Sequence, residues 1–221
     1  MNITNDIVKA YTDSLYTPVN NRLIELRHYA EEHHVPVILK DSEELLRFIA
    51  GVRRPGSILE IGCAIGYSAS VFAFSSDCMV TTIEADETMY ETACKNISDL
   101  GIDDRVTIIH GDAHNVLEAL HTEKNNCYDI VFIDAAKSHY REFWDLSLPL
   151  CRDDALIICD NILMKGMTAS DEFDTKKRYK TSIKRMRSFV EYIKNQPYAD
   201  TCILPVGDGM SLSIINKEKI K

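Results

Sequence analysis

The sequence predicts a doubly wound α/β fold, in which a mostly parallel sheet of seven strands carries a helical cap at its N-terminus. Three features support this prediction. Apolar residues follow a helical period through the first fifty residues, and from residue 57 short apolar runs alternate with helical stretches. The last part of the chain then reads as two strands joined by a tight turn.

The N-terminal cap is predicted from three groups of apolar residues at helical spacing. The break at residues 34–36, His-Val-Pro, separates the second helix from the third, and Asp41 or Ser42 is expected to cap the third helix. The cap is therefore assigned to residues 1–53. The apolar positions of the three helices are Ile7, Tyr11 and Leu15; Leu23, Leu26 and Tyr29; and Leu45, Leu46 and Ile49.

The Rossmann-like core is assigned to residues 54–221, within a single domain that spans 1–221. Alternating strands and helices imply right-handed crossovers, and the runs VFID and LIIC are apolar throughout, as central strands of a parallel sheet are. Near the C-terminus the turn Gly207-Asp208-Gly209 joins two further strands, one of which must run antiparallel to its neighbours. The five parallel strands are SILEIG, MVTTIEAD, RVTIIHGD, YDIVFIDAA and ALIICDN.

Composition and charge narrow the class of protein. The 221 residues are 45% hydrophobic and 27% charged, which is typical of a globular protein with one full core. No apolar run approaches the roughly 20 residues that span a bilayer, and the polar start does not resemble a signal peptide, so we expect a cytoplasmic protein without a membrane partner. The net charge of −9 disfavours a surface that binds nucleic acid all over. Seven scattered cysteines without a C-x-x-C pair argue against disulfides and structural zinc, and favour buried thiols over a nucleophile.

Acidic residues and glycines follow each of the five predicted parallel strands. In an open α/β sheet, ligands bind at the carboxyl ends of the strands, so these residues are expected to meet at one site. Any one of them is compatible with an ordinary turn, but turns alone explain a coincidence at all five strand ends poorly. The residues are Glu60 and Gly62, Glu84, Asp112 with Ala113, Asp134, and Asp160 with Asn161.

The first three strand ends predict a nucleoside site. Gly62 and Gly66 let a ligand approach the backbone, but their spacing differs from the G-x-G-x-x-G pattern that cradles a pyrophosphate. Glu84 lies at the next strand end, where an acid accepts hydrogen bonds from both ribose hydroxyls. Asp112 suits the exocyclic amine of an adenine, and Ala113 leaves room for its ring. We therefore expect a nucleoside that carries no pyrophosphate, which also disfavours a nicotinamide-dependent dehydrogenase.

The last two strand ends predict a metal site. Asp134, Asp160 and Asn161 offer oxygen ligands without sulfur or imidazole, a set that suits a hard cation such as Mg²⁺. The alternative is that the two aspartates only cap helices. Lys137 follows Asp134 by about one helical turn, and beside a cation it is a candidate general base. Its alternative is a surface salt bridge.

These motifs resemble the metal-dependent O-methyltransferases of the catechol and caffeoyl-coenzyme A type. The resemblance covers nearly the whole chain and rests on LEIGCAIGYS, TTIEAD, HGDA, FIDAAK and CDNIL. Within that family the chain is more similar to a bacterial branch that includes tRNA 5-hydroxyuridine methyltransferases. The segments AEEHHVPV, DNILMKGM and LPVGDGMSLS carry this closer match.

The resemblance implies S-adenosylmethionine as the methyl donor and assigns roles to individual residues. Asp134, Asp160 and Asn161 would bind Mg²⁺, and Lys137, together with Asp134, would carry the catalysis. In the expected mechanism the metal lowers the pKa of a substrate hydroxyl, Lys137 takes its proton, and the oxyanion attacks the sulfonium methyl in line. The residues expected to contact the cofactor are Ile38 at its methionine end, Glu60, Gly62, Ser68, Glu84, Asp112, Ala113 and Asp134.

The expected acceptor has two neighbouring oxygens, as a catechol or a 5-hydroxyuridine has. The stretch from Lys176 to Lys194 contains eight basic residues and one acid, with Tyr179 available to stack on a base, although such a stretch is often only a solvated helix face. We favour tRNA, methylated at the wobble base as the resemblance implies, over a small catechol-like acceptor, and both over a module that binds the cofactor without catalysis. The candidate phosphate contacts are Lys176, Lys177, Arg178, Lys180, Lys184, Arg185 and Arg187.

A homodimer is also expected. The N-terminal helices and the terminal hairpin are the surfaces that the sequence offers for it.

Overall fold

The computed structural model describes residues 4–123 and 127–220, and it is built around one seven-stranded sheet. The strands are β1 Ser57–Ile61, β2 Met79–Glu84, β3 Val106–His110, β4 Tyr128–Ile133, β5 Cys151–Cys159, β6 Ala199–Leu204 and β7 Met210–Ile215. Their order is β3-β2-β1-β4-β5-β7-β6. Strands β1 to β5 are parallel, and β7 runs antiparallel to both of its neighbours. The predicted fold is therefore confirmed, including the antiparallel strand near the C-terminus.

Eight α-helices lie within the described ranges, and two hydrophobic cores fill the two sides of the sheet. Helices α2 to α5 contribute to the core that contains Ile58, while α6 to α8 contribute to the core that contains Leu59, because successive side chains of a strand point to opposite faces. No described helix is both long and apolar enough to cross a membrane. The helices are α1 Asp6–Leu15, α2 Arg22–Glu32, α3 Lys40–Arg53, α4 Tyr67–Ser75, α5 Glu87–Leu100, α6 Ala113–Glu123, α7 Tyr140–Ser147 and α8 Lys180–Lys194.

The strand order reverses between β1 and β4. Strands β1, β2 and β3 extend the sheet in one direction, and β4 and β5 extend it in the other. The helices that follow β1 and β4 therefore leave on opposite faces, and a crevice opens between the two strand ends. This crevice is where the predicted site residues are expected to meet.

The start of α3 differs from the prediction. The helix begins at Lys40, and the residue before it, Leu39, provides no side-chain cap. Asp41 and Ser42 therefore lie inside the first turn, and the predicted capping role of either residue is wrong. The carboxylate of Asp41 instead accepts a hydrogen bond from the backbone N–H of Gly207 at 3.0 Å, which ties the cap to the turn between β6 and β7.

The apolar residues of α1 have the predicted helical spacing, but they face outward. Ile7, Tyr11 and Leu15 are 81%, 66% and 60% exposed. The periodicity thus identified a helix whose apolar face has no cover within the described chain. This face is where the predicted homodimer would form, and the homodimer itself stays a prediction.

The basic stretch is helical only in its second part, because α8 begins at Lys180. The buried carboxylate of Asp174 accepts hydrogen bonds from the backbone N–H groups of Arg178 and Tyr179, both at 3.2 Å. These bonds hold the residues before α8 in a turn, in which Lys177 has a φ of 50°. The basic residues before Lys180 therefore extend from a loop.

The buried cysteines behave as small apolar residues. Cys63, Cys78, Cys151 and Cys159 are buried. Burial raises the pKa of Cys151 and of Cys159 to about 12, so both remain protonated at neutral pH. A nucleophilic role finds no support at these positions.

Gly209, in the turn after β6, should tolerate substitution by alanine less well than Gly101, at the end of α5. Gly101 and Gly209 both have positive φ, at 67° and 90°, but only a Cβ at residue 209 would overlap a neighbour, the Leu163 side chain. We expect Gly101→Ala to lower the free energy of unfolding by about 1 kcal/mol and Gly209→Ala to lower it by about 2–4 kcal/mol. Urea denaturation measures both values. Equal decreases in the free energy of unfolding would show that the chain around Leu163 shifts to accommodate the added methyl group.

Candidate active site

A cavity of about 770 Å³ opens at the carboxyl ends of the five parallel strands. It is lined by every predicted site residue except Glu60 and Asp160, which are buried. The structure therefore brings the strand-end residues together, while their individual roles stay predictions. The predicted residues in the lining are Ile38, Gly62, Ser68, Glu84, Asp112, Ala113, Asp134, Lys137 and Asn161.

The turn after β1 depends on glycine. Gly62 has a φ of 101°, and a Cβ at this position would overlap the carbonyl oxygen of Asp134 and lie 2.9 Å from its carbonyl carbon. The ends of β1 and β4 can approach this closely only because residue 62 has no side chain. Gly66 then precedes α4, whose first turn has no side-chain cap, so its N–H groups are available to an anionic group in the cavity.

The carboxylate of Glu84 is held by the backbone. One oxygen accepts a hydrogen bond from the N–H of Ala64 at 2.7 Å, and the other accepts from Ala85 and Asp86, both at 2.9 Å. Ala64 belongs to the glycine turn after β1, so Glu84 also links the ends of β1 and β2. An acid fixed in this way presents its remaining lone pairs in a constant direction, as recognition of a ribose requires.

Glu60 is a buried acid beside the cavity. Its Oε2 accepts a hydrogen bond from the Thr82 hydroxyl at 2.5 Å, while Oε1 has no well-directed partner among the described residues. Burial, with repulsion from Asp134 and Glu84, raises the pKa of Glu60 to about 7 against the lowering effect of the Ser68 and Thr82 hydroxyls. An acceptor left in this state suits a cationic ligand group such as an ammonium, because a buried polar atom without a partner is costly.

The three predicted metal ligands are neighbours. The Asn161 side chain donates from Nδ2 to Asp134 at 2.7 Å, and the Asn161 backbone N–H donates to the Asp160 carboxylate at 2.7 Å. Burial and then mutual repulsion raise the pKa of Asp160 well above its usual range, and burial also raises that of Asp134. Neither aspartate caps an α-helix, because α7 is preceded by His139 and α8 by Tyr179.

The chemistry of this donor set fits a hard cation, although the side chains do not form a ready chelate. Carboxylate and amide oxygens are the groups that Mg²⁺ prefers, and the mutually repelling carboxylates of buried Asp160 and half-buried Asp134 attract a cation. Among the described residues, however, no three side chains of the His, Cys, Asp and Glu types are grouped closely enough to hold a metal ion. Metal binding at these three residues therefore stays a prediction.

Asp208 is a site residue that the sequence analysis treated only as part of a turn. Its carboxylate accepts a hydrogen bond from the Lys165 backbone N–H and lies 3.9 Å from the Lys137 Nζ atom. Burial raises its pKa. The signal in the sequence was an acid between two glycines, but nothing local places the turn between β6 and β7 beside the end of β4.

Glu142 is a second residue that the sequence did not reveal, and it joins two loops at the cavity. One carboxylate oxygen lies 2.6 Å from the Nδ1 atom of His114, and the other lies 2.9 Å from the Nδ1 atom of His139. The hydrogen bond with His139, followed by that with His114, lowers the pKa of Glu142. The loop that carries Lys137 is thereby connected to the start of α6.

Lys137 is shared by two cavities. It lines the cavity described above and also a second one of about 870 Å³, whose lining includes Phe173, Tyr179 and Asp208. The surface salt bridge expected as the alternative is present in part, since the Lys137 side chain is 37% exposed and pairs loosely with Asp208. A reaction at Lys137 would therefore join one ligand in each cavity.

The comparison with known proteins assigns the family. A family model described as O-methyltransferase matches residues 14–216. The chain belongs to this family. It is 28% identical to a caffeoyl-CoA O-methyltransferase of Citrus natsudaidai over 210 residues, which cover 90% of this chain and 89% of the relative.

Two solved structures extend the comparison. A candidate caffeoyl-CoA O-methyltransferase from Staphylococcus aureus is 33% identical, with a TM-score of 0.88 over 96% of this chain and all of the other. An O-methyltransferase from Bacillus cereus, solved with S-adenosylhomocysteine, is 26% identical, with a TM-score of 0.82 over 95% and 97% of the two chains. The protein is accordingly a transferase that uses S-adenosylmethionine.

The geometry of Glu84 generates a prediction about cofactor affinity. Glu84→Ala removes the acid that is expected to bind the ribose hydroxyls, and we expect the dissociation constant of S-adenosylhomocysteine to rise about 10- to 100-fold. Isothermal titration calorimetry measures it. Glu87→Ala, at an exposed position in the first turn of α5, is the control and should bind as the wild type does. Unchanged affinity in Glu84→Ala would remove this residue from the cofactor site.

Proposed function

We propose that this methyltransferase uses a divalent metal ion and methylates 5-hydroxyuridine at the wobble position of tRNA, forming 5-methoxyuridine. The observation that carries the proposal is the position of Lys137. It lines both the cavity at the strand ends and a second cavity that has exposed aromatic side chains and lysines in its lining. An acceptor base in the second cavity would present its hydroxyl to Lys137 from the side opposite the cofactor.

Asp134, Asp160 and Asn161 are the proposed holders of the metal. Mg²⁺, when bound, would favour ionisation of a hydroxyl that has a second oxygen beside it. A 5-hydroxyuridine offers its 5-hydroxyl next to the 4-carbonyl, so the base satisfies the same requirement that a catechol does. The expected requirement for two neighbouring oxygens is therefore met by tRNA as well as by a catechol, and it does not distinguish the two acceptors.

The residues around Lys137 account for the transfer step. In this proposal Lys137 acts as the neutral amine and accepts the proton of the acceptor hydroxyl, and Asp208, at 3.9 Å, pairs with the ammonium group that results. The acceptor oxygen then attacks the sulfonium methyl. A carbon–oxygen bond forms as the carbon–sulfur bond breaks, and S-adenosylhomocysteine leaves. Alignment of the two ligands across Lys137 contributes most of the acceleration in this proposal.

The second cavity suits a flat ring attached to phosphates. Phe173 and Tyr179 are 43% and 50% exposed, although both line the cavity. Phe173 packs on Gly166, where a Cβ would lie 3.1 Å from the ring. Lys165 and Lys176 line the same cavity, together with three acidic side chains. Exposed aromatic rings beside lysines are the groups with which proteins stack unpaired bases and bind their phosphates.

The basic stretch contributes fewer phosphate contacts than its sequence suggests. Arg187 donates to the carbonyl oxygens of Thr168 and Met167 at 2.8 and 3.0 Å and pairs with Asp171 at 2.8 Å. Its guanidinium group is committed to holding this loop, and it leaves the set of proposed RNA contacts. The other six residues of the set stay proposed contacts. Of these, Lys176 lines the second cavity, and Lys180 follows Tyr179, which also lines it.

A small acceptor with neighbouring hydroxyls is the alternative substrate. The relatives with caffeoyl-CoA in their names act, by those names, on such a group. The second cavity, with Met164 and Met167 in its lining, is compatible with an aromatic acid as well as with a base. A module that only binds the cofactor is disfavoured by the family assignment.

Removal of the metal tests the first half of the proposal. Protein treated with a chelator should lose methyl transfer and regain it when Mg²⁺ is added. Asp160→Asn should lose turnover by about 100-fold or more, because a neutral amide is a weaker ligand, while S-adenosylhomocysteine affinity stays within about threefold. Asp104→Asn, at an exposed position, is the control. Full turnover in the chelator contradicts the metal requirement.

A charge-removal variant tests the acceptor. Lys176→Ala combined with Lys180→Ala should raise the KM for undermodified tRNA about tenfold and should leave the KM for a free catechol within about twofold, because only tRNA brings phosphates. The matched control is Lys95→Ala with Lys219→Ala, since both residues are exposed and neither lines the second cavity. Mass spectrometry of the products measures transfer. Equal effects on both acceptors would remove the basic residues from tRNA binding.

A further inference from the structure

A buried cluster of ionisable side chains joins the N-terminal cap to the wall of the cavity at the strand ends. This is called the cofactor cavity, because the proposed function requires S-adenosylmethionine to bind in it. Glu43, in α3, is fully buried. Its Oε2 atom accepts hydrogen bonds from Tyr16 at 2.7 Å, Arg27 at 2.8 Å and Tyr67 at 2.7 Å. Arg27 also donates from Nε to the Tyr67 hydroxyl and from Nη2 to the carbonyl oxygen of Ile38, both at 3.0 Å. The proposed mechanism uses neither Glu43 nor Arg27.

One member of this cluster, Tyr67, and one residue that the cluster contacts, Ile38, line the cofactor cavity. Tyr67 is the first residue of α4, and Ile38 lies in the segment that leads into α3. The first turn of α4 also carries Ser68, and its N–H groups have no side-chain cap. Arg27 contacts the Tyr67 hydroxyl and the Ile38 carbonyl at the same time, while Glu43 holds Arg27 and Tyr67. The cluster therefore fixes the separation of two parts of the cavity wall.

The hydrogen bonds of this cluster orient the groups that they join, which apolar packing would not do. A buried ion pair contributes little net stability compared with apolar side chains of similar volume, because both charges must leave water. Apolar packing would hold the cap on the sheet, but it would not orient a hydroxyl and a carbonyl toward one guanidinium. Burial, followed by the hydrogen bond with Tyr16, raises the pKa of Tyr67 well above its usual range. Its hydroxyl therefore remains a hydrogen-bond donor at all ordinary pH values.

We infer that Glu43 is a positioning residue for the cofactor. Through Arg27 and Tyr67 it holds the Ile38 segment and the first turn of α4 at the separation that S-adenosylmethionine requires. Cofactor affinity then depends on residues of the cap that do not themselves touch the cofactor.

Calorimetry with S-adenosylhomocysteine as the probe tests this inference. The measurement needs neither an acceptor nor a metal, so its outcome is independent of the proposed substrate. Glu43→Gln should raise the dissociation constant about tenfold, because Arg27 loses its buried counter-ion and its contacts shift. Glu44→Gln, the same change at the next residue of α3, should bind as the wild type does. Wild-type affinity in Glu43→Gln overturns the inference.

A second control separates positioning from stability. Leu46 is fully buried in the same helix, and Leu46→Ala should lower the unfolding temperature of the cofactor-free protein at least as much as Glu43→Gln does. At a temperature where both variants are folded, Leu46→Ala should keep wild-type affinity. A similar loss of affinity in both variants would mean that α3 acts only through stability. In turnover, Glu43→Gln should raise the KM for S-adenosylmethionine by a larger factor than it lowers kcat.

A milder pair of variants covers the case in which Glu43→Gln does not fold. Tyr67→Phe keeps the ring and removes the hydroxyl that contacts Glu43 and Arg27, and it should raise the dissociation constant of S-adenosylhomocysteine about three- to tenfold. Tyr11→Phe, at a position that is 66% exposed, is the matched control and should change nothing. Unchanged affinity in Tyr67→Phe likewise overturns the inference.

Discussion

The contact between Gly62 and the backbone of Asp134 is the constraint on which the site depends. Adjacent parallel strands deliver their ends to one edge of the sheet, but side chains usually keep the turns after them apart. Here a Cβ at residue 62 would overlap the Asp134 carbonyl oxygen. Its absence places the turn that is expected to contact the cofactor directly beside the acids expected to act on the acceptor. A methyl transfer requires this proximity, because donor and acceptor must be in contact before the bond exchange.

Electrostatics follows from the same geometry. Bringing strand ends together also brings Glu60, Asp134 and Asp160 together, and burial raises the pKa of each. Such a floor attracts positive groups, and the sulfonium and ammonium groups of S-adenosylmethionine carry positive charge. The neighbouring cavity carries charges of both signs, because three lysines and three acidic side chains contribute to its lining. The acids of the strand ends are thus concentrated at the first cavity, whereas the second cavity has a mixed lining.

The N-terminal cap reaches both halves of the site. Asp41 holds the turn that carries Asp208, and two residues later Glu43 holds Tyr67 and Arg27. One turn of α3 is therefore connected to a wall of the cavity, through Tyr67, and to the partner of Lys137. The sequence of the cap does not reveal this connection, since its apolar periodicity indicates only that helices pack there.

The sequence by itself determined the sheet, the strand ends and the cavity to which they lead. Apolar runs bounded by Glu84, Asp134 or Asp160 are local patterns, and parallel strands bring their ends to one edge wherever they pair. Only the tertiary structure decided the partners of these residues. Asp208 meets Lys137 across 71 positions, and Glu43 meets Arg27 and Tyr67 from other helices. Arg187 binds loop carbonyls instead of remaining open to solvent. Contacts between residues so far apart leave no periodic trace, because they depend on how finished elements pack and not on how each element forms.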